Sequence, residues 1–256
     1  MYKQYTAQDF KKDMNLPEDY KVDGLICHGT MRKKRHDSEL LALIEQSGHP
    51  ISYKPVIESG FFENVKELKY NNKTIWFDTC YGGAYTSELV HVASLLGSKK
   101  NLLIGSCGGL YPEGEAGDLI IPKASFGNES STRMYQPENK EYLYFSSQQL
   151  NQSLKKRLET FTIHEGNLIT CQGALAESWE DIERWSKEGY FGVEMESSTF
   201  FAVSQYFDVP ASALILIADN IIKKETVLDE SFQEIRQKLT DVRTQIFLTA
   251  LEEVFS

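Results

Sequence analysis

Long apolar runs are missing from this 256-residue chain: none approaches the roughly 18 residues that a membrane-spanning helix needs. Positive charge is also short. With 27 Lys and Arg against 37 Asp and Glu the formal charge is −10, which argues against a surface built to hold nucleic acid. Cysteine is sparse and scattered. Cys27, Cys80, Cys107 and Cys171 lie far apart beside apolar or glycine-rich segments, without the spacing of a zinc site or a disulfide framework, so buried reduced thiols are expected. No repeat, low-complexity tract or Pro/Gly-rich linker divides the chain, and residues 1–256 are expected to form one domain. The opening stretch MYKQYTAQDFKKDMNLPEDY has neither the apolar centre of a secretory signal nor the acid-poor bias of a transit peptide. A cytoplasmic location without membrane attachment is expected.

What the chain does have is alternation. Strand-like apolar runs occur at 23–27, 73–80, 100–107, 117–122, 164–172 and 211–219, several of them apolar throughout, as strands covered on both faces are. Helical patterns fall between or after them at 84–97, 146–160, 177–189, 194–207 and 229–255. This order predicts an α/β protein in three layers, α/β/α, with helices on both sides of a mixed, largely parallel central sheet. In such folds ligands gather at the carboxyl ends of strands.

Three of the runs end in residues with chemical uses. NLLIGSCGGL and FDTCYGGAY each end in glycines, and ALILIADN ends in Asp219. Glycines allow backbone amides to approach an anion or a sugar. One such loop is ordinarily just a turn, but three strand ends on one sheet would converge on one crevice. At 190–207, YFGVEMESSTFFAVSQYF places Glu194 and Glu196 around Met195, where a strand hands over to a helix. Acids in a first helical turn are favoured by the helix dipole, so these carboxylates have a structural reading beside a functional one. Asp219 likewise has a reading as a helix cap. The basic run RKKRHD at 32–37 reads as a solvated turn or helix start.

Taken together, these segments resemble the nucleoside phosphorylases of the hexameric purine and uridine type, with their related nucleosidases. GSCGGL (105–110) resembles the family's glycine-rich phosphate turn, CYGGAYTSEL (80–89) the loop and helix before it, and GVEMESSTFFAV (192–203) its most specific signature. LIADN (216–220) falls where the family has a strand ending in a catalytic aspartate. The resemblance implies that Glu196 holds the ribose hydroxyls and helps to stabilise the positive charge that builds on the sugar as the base departs. It implies that Asp219 assists the leaving base as a general acid, which leans the substrate toward purines. The sugar and base site is expected from Met195, Glu194, Tyr81, Gly82, Ser106, Cys107 and Gly108, and the phosphate site from Gly29, Arg32, Gly105 and Ser106. Inorganic phosphate is the implied co-substrate, with no metal or organic cofactor, and a homo-oligomer, dimer or hexamer, is expected.

The pattern also has departures. The arginine that family phosphorylases carry two residues before the glycine-rich turn is Leu103 here, and HGTMRKK (28–34) lacks the aspartate and proline of the other phosphate arginine's segment. Nucleosidases of the same fold lack these arginines too, and Gly29-Thr30-Met31 resembles one of their segments, but their activating glutamate is replaced by Lys34. Hydrolysis, and a non-catalytic nucleoside-binding role, therefore stand as alternatives. The family's aromatic pair near the base is absent from GALAESW (173–179), leaving Trp179 or Tyr81 for stacking.

Overall fold

Apolar runs that are long enough to be covered on both faces become the middle of a sheet. In the computed structural model the backbone is described for all residues except 1, 47, 49, 57–61, 63, 64 and 227–231, and the side chains of 33–37, 46 and 232–234 are also outside the described set. The strands are β1 (Gly24–Gly29), β2 (Ser52–Pro55), β3 (Lys66–Tyr70), β4 (Lys73–Cys80), β5 (Asn101–Gly109), β6 (Leu119–Ile120), β7 (Ala124–Phe126), β8 (Leu143–Phe145), β9 (Ile163–His164), β10 (Asn167–Thr170), β11 (Tyr190–Glu194) and β12 (Ala211–Asp219). The helices are α1 (Ala7–Asp13), α2 (Lys33–Gln46), α3 (Gly83–Leu95), α4 (Ser130–Tyr135), α5 (Gln148–Arg157), α6 (Trp179–Lys187), α7 (Ser197–Tyr206) and α8 (Phe232–Phe255).

The strands form one sheet in the order β2-β3-β4-β1-β5-β11-β10-β7-β8, with β12 on β5 and β6, and β9 on β6. Its parallel centre, β4-β1-β5-β12, consists of the most apolar segments. Alternate residues of these strands face opposite layers. Leu25 and Leu103 pack with Leu89, Val90, Phe200 and Phe201 of α3 and α7. Ile26, Leu102 and Ile104 pack with Leu40 and Ile44 of α2 and with Ile246 and Phe247 of α8. This is the expected three-layer arrangement. The expectation of a largely parallel sheet is only just met: among the described residues six strand pairings are parallel and five antiparallel.

Two segments differ from their sequence reading. GSCGG was expected as a turn, yet β5 runs through to Gly109, because β12 pairs with it as far as Gly108 and β11 with Gly108 and Gly109. The run 164–172 is two strands. β9 pairs with β6, whereas β10 pairs with β11 and β7, and the chain crosses between them at Gly166, where a Cβ would stand 2.3 Å from the Phe191 ring. α2 begins at Lys33, inside the basic run; the side chains of Lys33 and Lys34 lie outside the described residues. Cys27, Cys80 and Cys107 are buried free thiols, and Cys171 is half-buried. Among the described residues no helix is long and apolar enough to cross a membrane.

Candidate active site

The site arises where β5 changes partners. On one edge β5 carries β1 from Asn101 to Ile104 and then β11 at Gly108 and Gly109, while β12 follows its other edge. Among the described residues no strand is registered on the first edge against Gly105, Ser106 and Cys107. Since β11 is antiparallel to β5, passing from Gly192 to Val193 moves from Gly109 back to Gly108. Residues 194–196 therefore return toward Gly105 and meet the end of β1. There the Gly29 carbonyl lies 3.4 Å from where a Cβ on Gly105 would be.

Glu196 occupies that junction. The Gly82 N–H, at the start of α3, donates to its Oε1 at 2.6 Å, and a Cβ on Gly29 would come within 2.6 Å of its Oε2. Glycine is required twice over: Gly29 gives the carboxyl room, and Gly82 has φ +79°, a conformation that L side chains rarely adopt.

The two glutamates of the signature have different surroundings. Glu194 Oε2 accepts the backbone N–H groups of Glu196 (2.8 Å) and Ser197 (2.7 Å), and Oε1 accepts the hydroxyls of Thr170 (2.7 Å) and Ser197 (2.5 Å). It thus satisfies orphan donors at the start of α7. Four donors aimed at one carboxyl group make Glu194 the charged member of the pair. Burial pushes Glu196 up to about 8, and the charge of Glu194 adds to the rise while the Gly82 N–H opposes it. Burial raises Glu194 as well, but its hydroxyl and backbone donors oppose that rise, whereas at Glu196 the Gly82 and Met195 backbone N–H groups stand against both burial and the neighbouring charge.

Asp219 is delivered by a β-bulge. Ile217 stands opposite Cys107 and Asp219 opposite Gly108, leaving Ala218 as the extra residue. The half-buried Asp219 side chain therefore sits beside the glycine segment. Cys107 reports the convergence: burial raises its thiol first, then the charges of Glu194 and Asp219. Asn220 secures the strand end, donating from Nδ2 to the carbonyls of Tyr111 (2.9 Å) and Gly114 (2.7 Å).

The family profile described as Phosphorylase superfamily matches residues 79–252, which include the glycine loop, β5, the Glu194-Met195-Glu196 junction and Asp219. The chain belongs to this superfamily of nucleoside phosphorylases and nucleosidases. It is 22% identical over 225 residues to a Thermoanaerobacter protein named purine nucleoside phosphorylase DeoD-type, spanning 82% of this chain and 96% of that one. Among solved structures it resembles uridine phosphorylase from Vibrio fischeri (TM-score 0.74, 18% identity, 94% of this chain and 95% of that one). It also resembles a futalosine hydrolase mutant of Helicobacter pylori (TM-score 0.66, 20% identity, 91% and 99%).

Within this superfamily member the expected site residues are not all equivalent. Gly29, Gly82, Gly105, Ser106, Gly108, Met195, Glu196 and Asp219 gather where the edge of β5 passes from β1 to β11. Ser106 is exposed there and Met195 half-buried. Tyr81, 44% exposed, directly precedes Gly82. Glu194 and Cys107 differ from the others. The Glu194 oxygens are engaged by the chain itself, and the Cys107 side chain is buried against Gly192, where a Cβ would lie 2.6 Å from Sγ. Arg32 is exposed, its backbone N–H donating to Thr30 Oγ1 at 3.1 Å. Leu103 is buried in the core beside Phe200 and Val203, so the position of the family arginine is apolar and inward. Trp179 is half exposed at the start of α6, and α6 packs against the 3-10 turn Ile221–Lys223 that follows Asp219.

Two residues at the site had no place in the sequence reading. Glu177 is half-buried, raised by burial and by the charges of Asp181 and Asp219. Gln172 joins α3 to the Met195 backbone. It stands two residues past the end of β10, and the strand-end criterion that picked out Asp219 would also have found it.

Proposed function

We propose that this chain cleaves the N-ribosidic bond of a purine nucleoside with inorganic phosphate, giving free base and ribose 1-phosphate. The observation that carries the reading is the Glu196 carboxyl group wedged between Gly29 and Gly82 where the edge of β5 passes from β1 to β11, with Asp219 brought opposite Gly108. The C1′–N9 bond breaks as a phosphate oxygen bonds to C1′, its electron pair goes to the base, and Asp219, entering the step as the protonated acid, passes its proton to N7 and is left as the carboxylate, so that the base leaves neutral. Glu196 binds the ribose hydroxyls, and in its ionised form it favours the positive charge developing on the ring. Met195 and Tyr81 flank the sugar. The Ser106 hydroxyl, the backbone of Gly29 and Gly105, and Arg32 take the phosphate. The matched relative named as a purine nucleoside phosphorylase supports this choice of base and acceptor. No metal or organic cofactor enters the reaction, and the working form is a homo-oligomer in the cytoplasm.

One observation favours a second reading, hydrolysis by water: the buried Leu103 provides no cation for phosphate. The test is base release from inosine, adenosine, guanosine and uridine with and without phosphate. Release that requires phosphate supports phosphorolysis, and equal release without it makes the chain a nucleosidase. Nucleoside binding by calorimetry without turnover in either condition would overturn both in favour of a binding protein.

A further inference from the structure

We propose that Gln172 is a positioning residue that clamps the Met195 backbone to the start of α3 and thereby keeps the Gly82 N–H on the Glu196 carboxyl group. The inference rests on the reading of Glu196 as the ribose-holding acid. It begins from an unfilled requirement. The first turn of a helix has four backbone N–H groups without intrahelical acceptors, and a side chain at the N-cap ordinarily satisfies one of them. The N-cap of α3 is Gly82, which has no side chain. The acceptor comes from the segment after β10: the Gly83 N–H donates to Gln172 Oε1 at 3.0 Å.

The other half of the same amide faces the signature. Gln172 Nε2 donates to the Met195 carbonyl at 2.7 Å, and Met195 is the neighbour of Glu196. A closed ring results: Gly82 N–H to Glu196 Oε1, Glu196 through the chain to Met195, Met195 carbonyl to Gln172, Gln172 to Gly83, and Gly83 back to Gly82. Each link fixes the next. Gly82 is held at φ +79°, and a Cβ there would lie 3.0 Å from Gln172 Oε1. The base of the clamp is fixed as well, since Thr170, two residues earlier, gives its hydroxyl to Glu194, and the Cys171 N–H donates to the Glu194 carbonyl at 2.8 Å. An amide suits this position because one end must accept and the other donate. Glutamate keeps only the acceptor, and methionine keeps the length with neither strong group.

Without the clamp, the Gly82 N–H is free to leave Glu196, which removes a donor that favours the ionised acid. The test uses Gln172→Met and Gln172→Glu in the full chain. Carbon-detected NMR of the side-chain carboxyls follows the Glu196 titration in the ligand-free protein, beside pH profiles of kcat and kcat/KM with inosine and phosphate. In the methionine variant the Glu196 midpoint is expected to rise by about one pH unit, with an approximately tenfold loss of kcat/KM at pH 7. The glutamate variant, with an added charge and no donor for Met195, is expected to shift at least as far. A purely structural glutamine would lower the melting temperature and leave the Glu196 midpoint in place. Folded methionine and glutamate variants that both keep the wild-type midpoint and pH profile would overturn the proposal. Absence of nucleoside turnover by the wild type would remove the reaction proposed above, while the carboxyl titration would still decide the role of Gln172.

Discussion

Replacing Glu196 with glutamine should stabilise the protein increasingly as pH rises. In the unfolded chain a glutamate titrates near 4.5, whereas in the fold Glu196 holds its proton up to about 8. A group whose folded pKa is raised contributes fully below its unfolded pKa and loses that contribution as pH rises through the folded one. The window is therefore from about 4.5 to about 8. Across it the wild type loses about 1.4 kcal/mol per pH unit from this group, on the order of 4–5 kcal/mol in all. The carboxyl is only 6% exposed, so solvent screening reduces this little. Glutamine is isosteric and carries no charge to desolvate, and its carbonyl can still accept the Gly82 N–H. The assay is urea unfolding of both proteins at pH 5, 6, 7, 8 and 9, read as their difference so that other titrating groups cancel. The two should be nearly equal at pH 5. The variant should gain through pH 8 and then level off, while losing nucleoside cleavage. A stability difference that does not change with pH would refute the reasoning about the buried pair.

Three further outcomes follow from the same geometry. Gly29→Ala puts a methyl group 2.6 Å from Glu196 Oε2, so a cost of about 1–3 kcal/mol by chemical denaturation is expected, with base release falling as the acid is displaced. Asn220→Ala leaves the Tyr111 and Gly114 carbonyls without their amide donor, and about 1–3 kcal/mol should be lost in thermal or urea unfolding. Asp219→Asn should slow purine release by about 10²–10⁴-fold with the circular dichroism spectrum unchanged; turnover near that of the wild type would remove Asp219 from the proton step.

Much of the architecture was readable because the signals were local. The doubly covered strands β1, β5 and β12 are continuous apolar runs, and α6 starts where Ser178 and Asp181 form a capping box. The Glu194-Met195-Glu196 junction falls between β11 and α7 as expected. What stayed hidden depends on contacts distant in sequence. Glycines at 105, 108 and 109 signal a turn, but here they permit close approach inside a strand. A Cβ on Gly108 would come within 2.0 Å of Ile221 Cδ1, and one on Gly109 within 3.0 Å of Ile217 Cγ2. Likewise nothing local separates Glu194 from Glu196. Their difference comes from Thr170 on β10, from the amides of α7 and from Gly82 at the start of α3. Gln172 closes the run read at 164–172, so its place at a strand end was legible, but its role was not, because its two partners belong to different elements, 89 and 23 residues away along the chain.

The reversal at β5 has a bearing on how such a protein can diverge. Side chains alternate between faces with a period of two, so adding or deleting one residue between Gly192 and Glu194 would exchange the faces of the end of β11 and displace the acid that follows it at the N-cap of α7. Loops elsewhere can lengthen at little thermodynamic cost. Descendants of this chain are thus free to trade the residues that touch a base and to grow new surface segments, but the count from Gly192 to the acid is locked.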